Sequence, residues 1–140
     1  ENFLVELKKK LKNNSEAKVL ISTPNIAFFV MRIMLLFGKF NYGSRGILDK
    51  THTRLFTFSS FLNLIKQSDF SISKIFGIPV PFQLAIGKNF LSKLFERFNI
   101  FLIALSKRLF SFQIFLVIKP NTSLDKLLEQ AETNAKDKIQ

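Results

Sequence analysis

One stretch combines residue types that support chemistry: Gly46-Ile47-Leu48-Asp49-Lys50-Thr51-His52-Thr53-Arg54-Leu55-Phe56-Thr57. His52 is the only histidine in the chain. An imidazole near a carboxylate, as His52 is to Asp49, can work as a general base whose tautomer the acid fixes. The same residues can instead hold a turn, because Asp and Thr side chains bond readily to backbone N–H groups close by. No partner nucleophile accompanies His52, so the turn-holding role is favoured. Other chemistries lack their residues. The five glycines (Gly38, Gly43, Gly46, Gly77 and Gly87) form no phosphate-cradling pattern after a strand. With no cysteine and one histidine, a zinc site would need a carboxylate cluster that is absent. Asp49, Asp69 and Glu96 are the only acids between residues 26 and 119, too dispersed for the paired carboxylates of glycoside chemistry.

The elements that position these residues must come from a 140-residue chain, enough for one domain. Hydrophobic residues make up 47%, too many for a disordered chain. Absence of cysteine excludes a disulfide scaffold and suits a cytoplasmic protein. The net charge is +11, and residues 26–119 carry most of it, with 13 Lys or Arg against 3 acids. Such a balance suits nucleic acid, anionic lipid or an acidic substrate. Its weight is reduced by a composition rich in Lys, Asn, Ile and Phe (18 Phe, no Trp), as an AT-rich coding sequence produces. Lys8-Lys9-Lys10 is not followed by the apolar stretch of a signal peptide. The longest apolar segments, 26–37 and 98–118, are interrupted by Arg32 and by Lys107-Arg108, so neither reads as a membrane span. Glu1, not Met, opens the chain, and the expectation is a piece of a longer polypeptide.

Hydrophobic spacing sets out the elements. Phe3, Leu4, Leu7 and Leu11 form one helical stripe. The short apolar run 19–23, closed by Pro24, reads as a strand covered on both faces. Residues 26–37 are apolar nearly all round and predict a buried helix. Residues 39–50 read as a loop. Ser59 or Ser60 is expected to cap a helix running to about residue 68, with Phe58 as a staple. A strand is expected at 71–78, with Ile72, Phe76 and Ile78 on one face. Leu91, Leu94, Phe95, Phe98, Leu102, Leu105 and Leu109 predict one long helix over 88–109 with a packing seam. Phe110, Phe112, Ile114, Leu116 and Ile118 alternate strictly, with Phe115 and Val117 between them, so this strand is expected to be central. Thr122 with Asp125 has the form of a capping box opening a charged helix.

Val19-Leu20-Ile21-Ser22-Thr23-Pro24-Asn25, then Asn41-Tyr42-Gly43, then 46–57 resembles the class I S-adenosylmethionine-dependent methyltransferases. The likeness is greatest to a small-molecule branch that carries a leucine-aspartate-arginine-threonine-histidine-leucine-arginine-phenylalanine-phenylalanine-threonine stretch. Asp49, Thr51, His52, Arg54, Phe56 and Thr57 match it, whereas Lys50, Thr53 and Leu55 depart from it. The resemblance covers about residues 1–78. It implies an α/β fold, the C-terminal half of a Rossmann-like seven-stranded sheet. Residues 19–23 would be the fifth strand, 71–78 the sixth, and 111–119 the seventh, inserted between them. Residues 1–119 would form the acceptor-side part, with a helical insert at 88–109, and 120–140 a charged tail.

The resemblance implies S-adenosylmethionine as cofactor and a small molecule as methyl acceptor. In that family a glycine-rich loop after the first strand and acids after the second and third hold the cofactor. All of these would precede Glu1, so the chain is expected to be inactive alone and to bind no cofactor itself. His52 is the catalytic candidate, and Asn25, Tyr42 and Arg54 are the substrate-binding candidates. The expected partners are the N-terminal half of the same domain or a second copy, either one meeting the exposed edge of strand 19–23. The second reading is a basic amphipathic module at a membrane surface or a protein interface, without catalysis, argued from the basic middle and the apolar helices. Nucleic-acid binding ranks last, since the Phe residues sit at core spacings rather than beside Lys and Arg.

Overall fold

The computed structural model describes residues 2–11, 14 and 16–121. The elements are α1 (Asn2–Leu11), β1 (Val19–Pro24), α2 (Phe29–Leu36), α3 (Phe58–Gln67), β2 (Phe70–Ile78), α4 (Phe82–Ile86), α5 (Phe90–Leu105), α6 (Lys107–Phe110) and β3 (Gln113–Pro120). The expected charged helix beyond 120, with Thr122 and Asp125, lies outside the described residues.

The strands form a three-stranded sheet in the order β1-β3-β2. The last strand in sequence is central and antiparallel to both neighbours, Val19 facing Ile118 on one side and Phe76 facing Phe115 on the other. This is the expected order, in a small antiparallel sheet. Alternation along β3 puts Ile114, Leu116 and Ile118 at 0% exposure on one face. Phe58, Phe61 and Ile65 of α3, Leu4 of α1 and Phe70 complete that core. α3 starts at Thr57, which accepts from Ser60 N–H while the Ser60 hydroxyl accepts from Thr57 N–H. The cap is therefore Thr57, and Phe58 is a buried first-turn residue rather than a staple outside the helix.

Other expectations change. β1 is not covered on both faces: Leu20 is 63% exposed. A bulge between Ile72 and Lys74 moves β2 by one residue, so Ile72 shares its face with Ile75 and Gly77, while Lys74, Phe76 and Ile78 lie opposite. The 26–37 segment is helical only over Phe29–Leu36, and none of those residues is buried. At its beginning the Phe28 ring meets Phe112 edge-on at 5.9 Å and Phe29 meets Phe110 at 5.6 Å, and further along Met31 and Met34 are half-buried and line a cavity with Ile47 and Leu48. The 88–109 helix breaks at Ser106, whose φ of −152° and ψ of 98° are extended. Its proposed seam points outward: Leu91, Leu94, Phe95, Phe98 and Leu105 are exposed, and Ser92, Asn99 and Ile103 are the buried residues. Asn99 explains the reversal. Its Oδ1 accepts from Val80 N–H at 2.9 Å and its Nδ2 donates to the Phe110 carbonyl at 3.1 Å, so the polar side faces the protein.

β1 lies at an edge of the sheet, and among the described residues no strand pairs with its outer side. Unpaired strand edges recruit other strands. The expected result is concentration-dependent association in light scattering. It should be suppressed by Leu20→Lys, which charges the edge at an exposed position; a monodisperse monomer at all concentrations contradicts this.

Candidate functional site

Two of the segments that carry the resemblance, 19–25 and 46–57, meet at Asn25. Ile26 N–H donates to the Phe56 carbonyl at 2.9 Å, and Asn25 forms a parallel bridge with Phe56. The Asn25 side chain is fully buried, at 0% exposure. Its Nδ2 donates to the carbonyls of Arg108 (3.0 Å) and Ser111 (2.9 Å), and its Oδ1 accepts from Ala27 N–H at 3.1 Å. One amide thus ties the end of β1 to the turn that leads into β3.

Residues 43–50 fold back on themselves. Gly43 N–H donates to the Leu48 carbonyl at 2.8 Å, and Lys50 N–H donates to the Gly43 carbonyl at 3.2 Å. Gly46 has a φ of +97°, a left-handed conformation that suits glycine. Ile47 and Leu48 are buried and anchor the loop. Asp49 Oδ1 accepts from both Thr51 N–H (2.8 Å) and Thr51 Oγ1–H (2.9 Å). Those bonds, the backbone one first, hold the Asp49 carboxyl below its ordinary pKa, with the charge of His52 a lesser cause.

His52 is half-buried, and its Nδ1 lies 3.2 Å from the Ile47 carbonyl. A carbonyl only accepts, so Nδ1 carries the proton, which leaves Nε2 as the ring position that can accept one. The orienting group is this backbone carbonyl, a side-chain-to-backbone contact of the turn-holding kind, and not the Asp49 carboxylate of the alternative reading.

His52 and Asp49 line a cleft of about 550 Å³ together with Pro24, Arg45, Val80, Pro81 and Gln113. Because β1 and β2 are both antiparallel to β3, their carboxyl ends lie at the same end of the sheet, and Pro24 and Val80 carry the cleft there. Arg54 lines a separate cavity of about 390 Å³ with Thr23, Phe61 and Ile65. Its guanidinium stacks 5.4 Å from the Phe56 ring centre. Tyr42 is exposed, meets Phe40 edge-on at 5.7 Å, and lines neither cavity. The four candidates therefore do not share one site: His52 faces the cleft, Arg54 a second cavity, Asn25 the interior and Tyr42 the surface.

Arg45 and Gln113 are cleft residues not anticipated from the sequence. Gln113 could have been found, as the one amide in the stretch 110–118, which is apolar apart from it and Ser111. Arg45 carries no local signal. Among the described residues, no group of three or more His, Cys, Asp and Glu could hold a metal, and no helix is long and apolar enough to cross a membrane. Compared with known proteins, the chain matches no family model and no curated sequence.

Two outcomes are expected. Asn25→Ala strands Ala27 N–H and the Arg108 and Ser111 carbonyls, and should lower unfolding stability in urea by at least about 2 kcal/mol, whereas Tyr42→Phe stays within about 0.5 kcal/mol. In carbon-detected NMR, Asp49 should titrate below ordinary aspartates, and Thr51→Val should raise its midpoint. With the folded pKa lowered, any Asp49 contribution to stability is present above the unfolded pKa of about 3.9 and is lost as pH falls through the folded value.

Proposed function

We propose that the chain is the acceptor-side part of a class I S-adenosylmethionine-dependent methyltransferase acting on a small molecule. The observation that carries this reading is the position of β3, last in sequence and antiparallel between β1 and β2. That is the relation the resemblance implies for a fifth, seventh and sixth strand within a seven-stranded sheet. The Asn25–Phe56 bridge supports it, since it sets side by side two of the segments on which the resemblance rests.

The cofactor itself does not fit the residues present here. Asp49 is the cleft's only carboxylate, and its Oδ1 is already taken up by Thr51. The acids that the resemblance assigns to the ribose diol and the amino acid are not among the cleft residues, so a cofactor-binding half is required alongside this one. What the present residues supply is a place for the acceptor at the carboxyl ends of β1 and β2. They also supply a nitrogen that takes a proton: His52 Nε2, held in the accepting tautomer by the Ile47 carbonyl. Arg45 and Gln113 orient polar groups of the acceptor at the same mouth.

Calorimetric titration of the 140-residue chain with S-adenosylmethionine is expected to give no measurable binding; micromolar affinity would overturn this division of labour. In a protein that pairs the chain with a cofactor-binding half, labelled methyl groups should pass to a small acceptor. There His52→Ala should lower kcat about a hundredfold with KM little changed. Unchanged turnover at unchanged stability removes His52 from the reaction, and absence of any methyl transfer removes the reading.

A further inference from the structure

We infer that α5 and the cations around it form a docking face for an anionic lipid bilayer, an inference independent of the methyl-transfer reading. α5 is turned with its polar side inward. Ser92 closes the helix N-terminus with Asn89, through a bond of 2.8 Å from Ser92 N–H to Asn89 Oδ1, and Asn99 is bonded to Val80 and Phe110. At 100° per residue, Ser92, Asn99 and Ile103 define the inner side, and Phe90, Leu94, Phe98, Phe101 and Leu105 form one stripe opposite them. That stripe meets solvent: Phe90 is 81% exposed, Phe101 66% and Leu105 74%. A continuous row of large apolar side chains on a surface marks an interaction site.

Charge decides the partner. Lys93 and Arg97 run along one flank of the stripe, Lys88 precedes the helix, and Lys107 and Arg108 follow it. Glu96 is the only acid between residues 70 and 121, and its carboxylate accepts from Gln83 Nε2 at 3.1 Å. A second copy of this face would set cations against cations, and nucleic acid would leave the leucines in water. An anionic bilayer satisfies both halves: apolar side chains enter the acyl boundary while the flanking Lys and Arg stay among the headgroups. The helix has 16 residues, too few to span a bilayer but enough to lie along its surface.

The test is flotation of the full chain with vesicles of phosphatidylcholine, alone or mixed with phosphatidylglycerol. The expected result is co-flotation with the mixed vesicles and not with neutral ones, weakening as salt rises. Two double variants at exposed positions, Phe90→Ser with Phe101→Ser and Lys93→Glu with Arg97→Glu, should each lower the partition coefficient about tenfold. Circular dichroism should be unchanged in both. Absence of flotation, equal flotation with neutral vesicles, or retention of binding in either variant overturns the proposal. So does a self-association that Phe90→Ser with Phe101→Ser abolishes in the absence of lipid, or an oligonucleotide complex formed where vesicles fail to bind.

Discussion

The fold depends on β3 pairing with both of its neighbours. β1 and β2 do not pair with each other, so the ladders to β3 are what joins them. Both ladders join residues far apart in sequence, and closing such long loops costs conformational entropy before any contact forms. The return comes from Ile114, Leu116 and Ile118, buried without remainder under α3 and α1. The same pairing settles where a ligand can go. Two strands antiparallel to a common third end on the same side, so the chain segments leaving β1 and β2 meet there and leave a cleft between them. Asn25 keeps that meeting point in register, because its buried amide has partners on both the β1 exit and the β3 entry.

Parts of this were legible in the sequence for identifiable reasons. The strict alternation through Phe112, Ile114, Leu116 and Ile118, with Phe115 and Val117 between, has no helical alternative, and apolar residues on both faces of a strand argue for a central place. Its neighbours, and their order, followed from the resemblance. α5 was less legible because a spacing of 3 and 4 fixes which residues share a face, not whether that face points inward. Asn99 and Ser92 decided the direction, and buried polar residues look like surface residues until their partners are known. The bulge beside Lys74 was hidden in the same way, since one extra residue reverses every side chain beyond it without altering composition. Thr57 was overlooked as a cap because Ser59 and Ser60 offered the same chemistry two and three residues later.

The stretch 46–57 shows how closely chemistry and architecture share residues in a small fold. Asp49 and Thr51 bind each other, Phe56 meets the end of β1, and Thr57 starts α3. Once those roles are taken, His52 remains as the titratable side chain of the stretch that faces the cleft and keeps a ring nitrogen with a lone pair. The turn-holding expectation therefore holds for the frame of the motif, and it is that frame which aims the imidazole.

Gly77, paired with Ile114, sits against Ser111: a Cβ at 77 would fall on Ser111 Oγ and come within 3.1 Å of Ile103 Cγ2. Ser111 Oγ, in turn, is buried and makes no hydrogen bond among the described residues. The hydroxyl thus adds bulk without adding a bond, and the bulk falls where the neighbouring strand needs room. Sequence drift at the two positions is consequently unequal. Ser111 gives up no bond when it shrinks, whereas a side chain at Gly77 needs the one at 111 to turn away or be lost and Ile103 to give way by a few tenths of an ångström.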